Sequence, residues 1–101
     1  MNMQAMLKQV QKMQKDMEKA QEEINNTEFE GKSSLVTVII TGDKRMKSIK
    51  IDSDELEKDD LEMLEDMIII ATNDALSKIE KTTEEKMGAF SKNMPKIPGL
   101  F

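Results

Sequence analysis

The chain has 101 residues, enough for one small domain, and carries a net charge of −5 at neutral pH. It contains no cysteine and no histidine, which excludes disulfides, thiolate metal sites and the side chain that most often acts as a general base. The chain has ten methionines and only three aromatic residues, all phenylalanine. This composition predicts a flexible core that specifies its packing weakly, and a large partner surface would increase its stability.

No stretch of the sequence is typical of a membrane span or a secretory signal peptide. The longest uninterrupted apolar run is Met67 to Ala71, far shorter than the roughly 20 residues that a spanning helix needs. The first lysines lie inside a periodic region rather than ahead of an apolar core. We therefore expect a cytoplasmic protein without membrane contact.

The charge is unevenly distributed along the chain. Residues 52–86 carry thirteen acidic side chains against four lysines, whereas residues 1–15 carry three lysines and no acidic residue. A negative net charge argues against a protein that binds nucleic acid strongly over most of its surface. A local basic patch is still able to act on its own, because exposed charges more than about 10 Å apart are largely screened at about 0.1 M salt.

The first predicted element is a helix over Met3–Ile24, a run without glycine or proline. Its apolar residues alternate three and four positions apart, the spacing that forms one narrow seam on a helix. At about 100° per residue, four lysines fall together on the side opposite this seam. The seam consists of Met3, Met6, Val10, Met13, Met17, Ala20 and Ile24, and the lysine stripe of Lys8, Lys12, Lys15 and Lys19.

Three strands follow the first helix. A short alternating segment over residues 28–32 predicts an edge strand, and the β-branched run over residues 35–41 predicts a second strand. Residues 42–45 are typical of a hairpin loop, so residues 46–51 form the returning strand of an antiparallel meander. Strict alternation places Lys47, Ile49 and Ile51 on one face of that strand and Met46, Ser48 and Lys50 on the other.

A second long helix begins after Asp59 or Asp60, where the spacing to Glu62 fits a capping box. It is apolar almost all round for two turns, so it must be covered on several sides. The sheet covers one side, and a second copy of the chain is the economical cover for another. This pattern predicts a homodimer whose interface contains Met63, Met67, Ile68, Ile69 and Ile70.

The later part of the second helix carries its own apolar row. Leu76, Ile79, Thr83, Met87 and Phe90 form a candidate antiparallel mate for the Met3–Met13 part of the first seam. We expect a single domain over residues 1–93. Residues 94–101 form a C-terminal tail that cannot be helical throughout, because it contains two prolines.

This order of elements, with several short motifs inside it, resembles the YbaB/EbfC family of bacterial nucleoid-associated proteins over nearly the whole chain. Each motif is weak alone, and their combination in order is specific. The motifs are Met6-Leu7-Lys8-Gln9-Val10-Gln11-Lys12-Met13-Gln14, Val36-Thr37-Val38, Gly42-Asp43, Ile49-Lys50-Ile51-Asp52, Leu64-Glu65-Asp66, Ala71-Thr72-Asn73-Asp74-Ala75 and the proline-glycine tail.

The resemblance implies an α+β fold, with one long helix, a three-stranded antiparallel sheet and another long helix (αβββα) in a tweezer-like homodimer. It further implies a protein of the cytoplasm and nucleoid that binds double-stranded DNA with little to moderate sequence preference. Recombination or replication proteins are candidate further partners. The family offers no DNA-contact motif that transfers residue by residue, so candidate contacts follow from charge placement alone.

The candidate DNA contacts lie on the two helices and the hairpin. Lysines that neutralise phosphates give binding that weakens steeply with salt, and the absence of interleaved aromatic residues predicts low sequence specificity. The alternatives to DNA contact are a solvated helix face for the helix lysines and, at the hairpin, charges that protect a strand edge from mispairing. The candidates are Lys8, Lys12, Lys15, Lys19, Lys44, Arg45, Lys47, Lys78, Lys81 and Lys86.

Catalysis and metal binding receive no support from the sequence. No serine lies in a glycine elbow and no glycine-rich loop could hold a phosphate. Asp52-Ser53-Asp54 faintly resembles a calcium loop, but Glu57 occupies the position that requires glycine. We expect no enzyme activity, no metal and no cofactor. The alternative function is a dimeric protein-interaction module that uses the acidic helix faces and does not bind DNA.

Overall fold

A computed structural model describes residues 2–53 and 56–93. The chain folds as an α+β protein in the αβββα order, which confirms the predicted fold class. The C-terminal tail lies outside the described residues. The elements are α1 (Met3–Asn25), β1 (Glu28–Ser33), β2 (Val36–Thr41), β3 (Met46–Ile51), a 3-10 turn (Lys58–Asp60) and α2 (Leu61–Asn93).

Both ends of α1 are held by polar side chains. The Asn2 side-chain oxygen accepts a hydrogen bond from the Ala5 backbone N–H at 2.8 Å, which satisfies one of the free donors of the first turn. At the other end the Thr27 hydroxyl donates to the Glu23 carbonyl at 2.6 Å. The helix therefore ends one residue beyond its predicted range of Met3–Ile24.

The sheet has the order β1-β2-β3 and both pairings are antiparallel. Alternate residues of β2 point toward α2, and Val36, Val38 and Ile40 are buried. Together with Phe29 of β1 they meet α2 to form the core, which explains the strong β-branched pattern of β2. The remaining core residues are Ile24, Met67, Ala71, Ala75 and Ile79.

A β-bulge changes the face assignment on β3. Ile39 pairs with Ser48, but Ile40 pairs with Met46, so Lys47 is the additional residue. Met46 therefore lies on the same face of the sheet as α2, together with Ile49 and Ile51. Lys47 points to the opposite face, where it pairs with Glu28. The strict alternation expected from the sequence was wrong for Met46 and Lys47, because a bulge shifts the register by one residue.

Close packing of α2 against β1 depends on Gly31. A Cβ atom at this position would lie 1.9 Å from the Ala71 carbonyl oxygen and 2.8 Å from the Ala75 Cβ. Beside this contact the Asp74 carboxylate accepts from the Lys32 N–H at 3.1 Å, and the Lys78 ammonium donates to the Glu30 carbonyl at 2.7 Å. These contacts fix the helix over the first strand.

Beyond the sheet, α2 continues alongside α1 and the two helices form an arm, so the molecule measures 70 × 20 × 15 Å. Gln21 lines the same cleft as Leu76, Ile79 and Thr83, which places the last turns of α1 beside the start of the predicted mate. The pairing is antiparallel as expected. The prediction that this row of α2 covers Met3–Met13 was wrong. The contact between the two helices begins at the Ile24 end of α1, and Met3 is exposed.

Candidate nucleic-acid interface

The lysine stripe of α1 is the most clearly presented group of candidate residues. Lys8, Lys12, Lys15 and Lys19 are all exposed, whereas the apolar seam on the other side of the helix is half-buried or buried from Met6 onward. The stripe extends over about 16 Å at 1.5 Å per residue. None of the four takes part in an ion pair within the part of the chain that the structure describes, so their charges are available to a polyanion.

Acidic side chains weaken the stripe toward the body of the molecule. Glu22 and Glu23 follow Lys19 by three and four positions, the spacing of neighbours on a helix surface. In contrast, residues 2–15 contain no acidic residue. The positive field of α1 is therefore strongest over Lys8, Lys12 and Lys15.

The hairpin cluster is partly neutralised by its own neighbours. The Arg45 Nε lies 3.6 Å from an Asp43 carboxylate oxygen, and Lys47 pairs with Glu28 across the sheet. Lys44 is exposed and makes no ion pair among the described residues. Of the three predicted hairpin contacts, Lys44 offers the most accessible charge.

The α2 candidates divide in the same way. Lys78 lies 3.4 Å from an Asp74 carboxylate oxygen and donates to the β1 backbone, so it has a structural role. Lys81 and Lys86 are exposed and free of described ion pairs. They alternate with Glu80, Glu84 and Glu85, and the net charge of this segment is therefore negative.

Asp74 is an anchoring group and not a catalytic one. The backbone N–H of Lys32 donates to its carboxylate and holds the pKa of Asp74 below its usual value. Desolvation opposes this shift, and the nearby Lys78 ammonium adds to it. The lowered pKa thus results from the same contacts that attach α2 to β1.

The predicted dimer-interface residues lie on different sides of α2. Met67 is buried in the chain's own core and Ile68 packs against that core, whereas Met63, Ile69 and Ile70 are about half exposed. Sequence reasoning missed three further exposed apolar residues, Met46, Ile49 and Ile51 on the helix side of β3. The sequence could have indicated this exposure, because it predicts three strands and a single covering helix, and a helix about 10 Å wide covers only about two strands.

A cleft of about 620 Å³ lies between the end of α1, the hairpin and α2. Leu76 and Ile79 contribute apolar surface, and the rim carries Lys44, Glu80 and Glu84.

Among the described residues, no group of three or more acidic side chains is placed to hold a metal ion. No helix in the described ranges is both long and apolar enough to cross a membrane.

Comparison with known proteins decides the family. The sequence model of the YbaB/EbfC DNA-binding family matches residues 1–94. The chain belongs to this family. It is a family of DNA-binding proteins and not of enzymes, and the resemblance inferred from the ordered motifs is confirmed.

Several curated relatives match nearly their full length. A nucleoid-associated protein of Lactococcus lactis subsp. cremoris (strain MG1363) is 55% identical over 97 residues, covering 94% of this chain and 98% of the relative. One from Enterococcus faecalis (strain ATCC 700802 / V583) is 53% identical over 96 residues, with 93% and 92% coverage. One from Ligilactobacillus salivarius (strain UCC118) is 50% identical over 102 residues, with 99% and 95% coverage.

The fold also has a counterpart among solved structures. The crystal structure of the uncharacterized protein HP0035 from Helicobacter pylori superimposes with a TM-score of 0.69 at 23% sequence identity. The superposition covers 91% of this chain and 97% of the other. At this identity the likeness establishes the fold alone.

Proposed function

We propose that this protein is a nucleoid-associated protein that binds double-stranded DNA with low sequence specificity through the lysine stripe of α1, in a homodimer with two arms. The observation that carries the proposal is the stripe itself, four exposed lysines in one row without described ion pairs. Family membership supports DNA as the polyanion. Relatives named nucleoid-associated proteins support a place in the nucleoid.

Backbone contact is the mode of binding that this row favours. Each lysine that neutralises a phosphate of B-DNA contributes about −0.9 to the slope of log affinity against log salt. Four lysines give a slope of about −3.6 per arm, so raising salt from about 50 to 200 mM weakens one arm's binding roughly a hundredfold. Lysines that contact phosphates position the protein on the duplex without reading its bases, which favours low sequence specificity.

The acidic body limits how tightly the arms hold DNA. Ten of the twenty acidic residues lie between residues 52 and 74, so the duplex is repelled from the body and kept on the arms. A homodimer compensates, because binding of the second arm to the same DNA becomes an intramolecular step. We expect weak binding per arm and stronger, salt-sensitive binding by the pair.

Fluorescence anisotropy with a labelled duplex at two salt concentrations tests this function. Reversing Lys8, Lys12 and Lys15 together to glutamate should reduce affinity at low salt by more than a hundredfold. The matched control reverses Lys32, Lys50 and Lys58, which changes the net charge equally and leaves α1 intact. Absence of binding at low salt, or equal losses in the two triple variants, would overturn the proposal.

A second candidate function uses the acidic surface at the start of α2. Glu57, Asp59, Glu62, Glu65 and Asp66 are exposed and make no ion pairs within the described residues. This surface suits a basic protein partner, and recombination or replication proteins are candidates. It predicts a salt-tolerant complex with one specific protein and no shift of DNA in a gel, so the anisotropy titration separates the two functions.

A further inference from the structure

The first turns of α1 carry an apolar face that is wider than the seam along the rest of the helix. Four apolar residues here follow the spacing i, i+3, i+4, i+7, which is typical of a helix face packed against a core. They are Met3, Met6, Leu7 and Val10, and we call them the tip face. Met3 is 77% exposed and Leu7 is 57% exposed. This part of α1 therefore has the pattern of a packed helix and still exposes large apolar side chains.

The partner helix ends before it covers the tip face. Gln21 of α1 lies beside residues 79–83 of α2, because these residues line one cleft. The two helices are antiparallel and each rises about 1.5 Å per residue. The end of α2 at Asn93 therefore lies beside residues 7–11 of α1. The first turns of α1 extend beyond α2, and the sheet lies at the other end of the arm.

The segment that follows α2 carries an apolar row of its own. Residues 94–101 lie outside the described part of the chain, and their sequence places Met94, Ile97 and Leu100 three positions apart. Pro95 and Pro98 disfavour a helix here and bias the residues before them toward extended backbone. In a polyproline II conformation, which has three residues per turn, the three apolar side chains fall on one face.

We infer that residues 94–101 dock on the tip face of their own chain, with Met94, Ile97 and Leu100 against the apolar side chains of α1. Because α2 ends beside this part of α1, the segment starts next to the surface that it covers. In polyproline II conformation the segment spans about 25 Å, whereas the tip face extends over about 10 Å of helix. The segment is therefore long enough to cover the whole face.

This docking leaves the lysine stripe accessible. At about 100° per residue, the tip face lies nearly opposite Lys8 and Lys12 on α1. The segment itself has one basic residue, Lys96, and no acidic residue that would pair with the stripe. Short helical stretches without a packing partner are marginally stable, so the docked segment keeps Lys8 in line with the rest of the row. The inference goes beyond the proposed function and does not depend on it.

Trypsin cleavage after Lys96 tests the docking in the full-length protein, with mass spectrometry to identify the fragment. Met3→Gln combined with Leu7→Gln removes apolar surface from the tip face and should accelerate this cut at least tenfold, because a protease acts on the undocked segment. Leu61→Gln is the matched control. Leu61 is 54% exposed but lies at the start of α2, so this variant should be cut at the wild-type rate.

Hydrogen exchange in α1 measures the same contact from the other side. Ile97→Gln combined with Leu100→Gln should speed amide exchange in residues 7–11 at least fivefold, because the first turns of α1 lose their cover. The control is Lys96→Gln combined with Gly99→Gln, which adds the same two side chains to another face of the segment. Its exchange should match that of the wild type. Circular dichroism checks that every variant is folded.

The two measurements decide the inference together. Faster cleavage in the tip-face variant and faster exchange in the segment variant, with both controls unchanged, support the docking. A wild type that is cut as fast as the tip-face variant overturns it. Exchange that does not respond, or a control that changes as much as its test variant, also overturns it.

Mixing the two double variants tests which chain supplies the segment. If each segment docks on its own chain, no arm in the mixture has both surfaces intact, and cleavage after Lys96 stays fast. Restored protection of the unaltered segment would show docking between chains and overturn the assignment to the chain's own arm. The anisotropy titration of the wild type is independent, so failure of the docking leaves the DNA-binding proposal in place.

Discussion

The arm and the body of this protein use the same two helices for different purposes. In the arm, formed by α1 and the later part of α2, an exposed lysine row accompanies a narrow apolar seam. In the body, formed by the sheet and the first half of α2, apolar side chains lie on both sides of one helix and the surface is acidic. The arm therefore has the chemistry of polyanion binding, and the body has the chemistry of assembly.

This division explains how an acidic protein can belong to a DNA-binding family. Charges more than about 10 Å apart are screened from one another in physiological salt, and the arm extends well beyond the sheet in a molecule 70 Å long. We expect the acidic body to repel the duplex. Changes in the body should act on folding or assembly, and changes in the arm on DNA affinity.

The largest expected effect is on the stability of the body. Gly31→Ala places a Cβ against the Ala71 carbonyl and the Ala75 side chain, so α2 must move away from β1, and we expect a loss of about 3 kcal/mol in unfolding free energy. Gly88→Ala is the control, because a Cβ there meets nothing within 4 Å. It should stabilise the helix by up to about 1 kcal/mol. Thermal unfolding followed by circular dichroism compares the two.

Within the arm, we expect the two ends of the lysine stripe to differ. Lys12→Glu should weaken DNA binding about tenfold at low salt, and Lys19→Glu about threefold, because Glu22 and Glu23 already reduce the field around Lys19. Anisotropy titrations of the two single variants measure the difference, and unchanged thermal unfolding serves as the control. Equal losses would show that the field is uniform along α1.

The smallest expected effect concerns Asp74 and pH. Its pKa in the folded protein is lowered from 3.8, so the ionised carboxylate stabilises the fold above about pH 4, and this contribution disappears as pH falls through the lowered pKa. Asp74→Asn should unfold at lower urea concentration than the wild type at pH 7. The two midpoints should converge as pH falls below the lowered pKa. Asp66→Asn, on the exposed side of α2, is the matched charge control, and its midpoint at pH 7 should lie close to that of the wild type.

Local patterns predicted most of the secondary structure and the boundary of α1, because hydrophobic spacing and capping residues act within a few positions. They did not predict the face of Met46 and Lys47, since the bulge opposite Ile39 and Ile40 depends on the hairpin and on pairing across the sheet. They also placed the α1 mate too near the N-terminus. The offset between two antiparallel helices depends on where the sheet holds their other ends.

The candidate site shows the same limit. Charge placement proposed ten basic residues as DNA contacts, and three-dimensional contacts distinguish Lys78, Lys47 and Arg45, which have acidic partners, from the free lysines of α1. Asp74 and Asp43 lie only 4 and 2 positions from their basic partners, within the reach of local spacing. The Glu28 partner of Lys47 is 19 positions away and the backbone acceptor of Lys78 is 48 positions away, and no local pattern reports these two contacts.

The sequence by itself determined the order of elements, the apolar seam opposite the lysine stripe and membership of the family, because each depends on residue type and spacing along the chain. Only the tertiary structure decided which lysines remain free and that β3 is uncovered. The physical reason is that α2 is held over β1 by Gly31, Asp74 and Lys78, and a single helix is too narrow to reach the third strand.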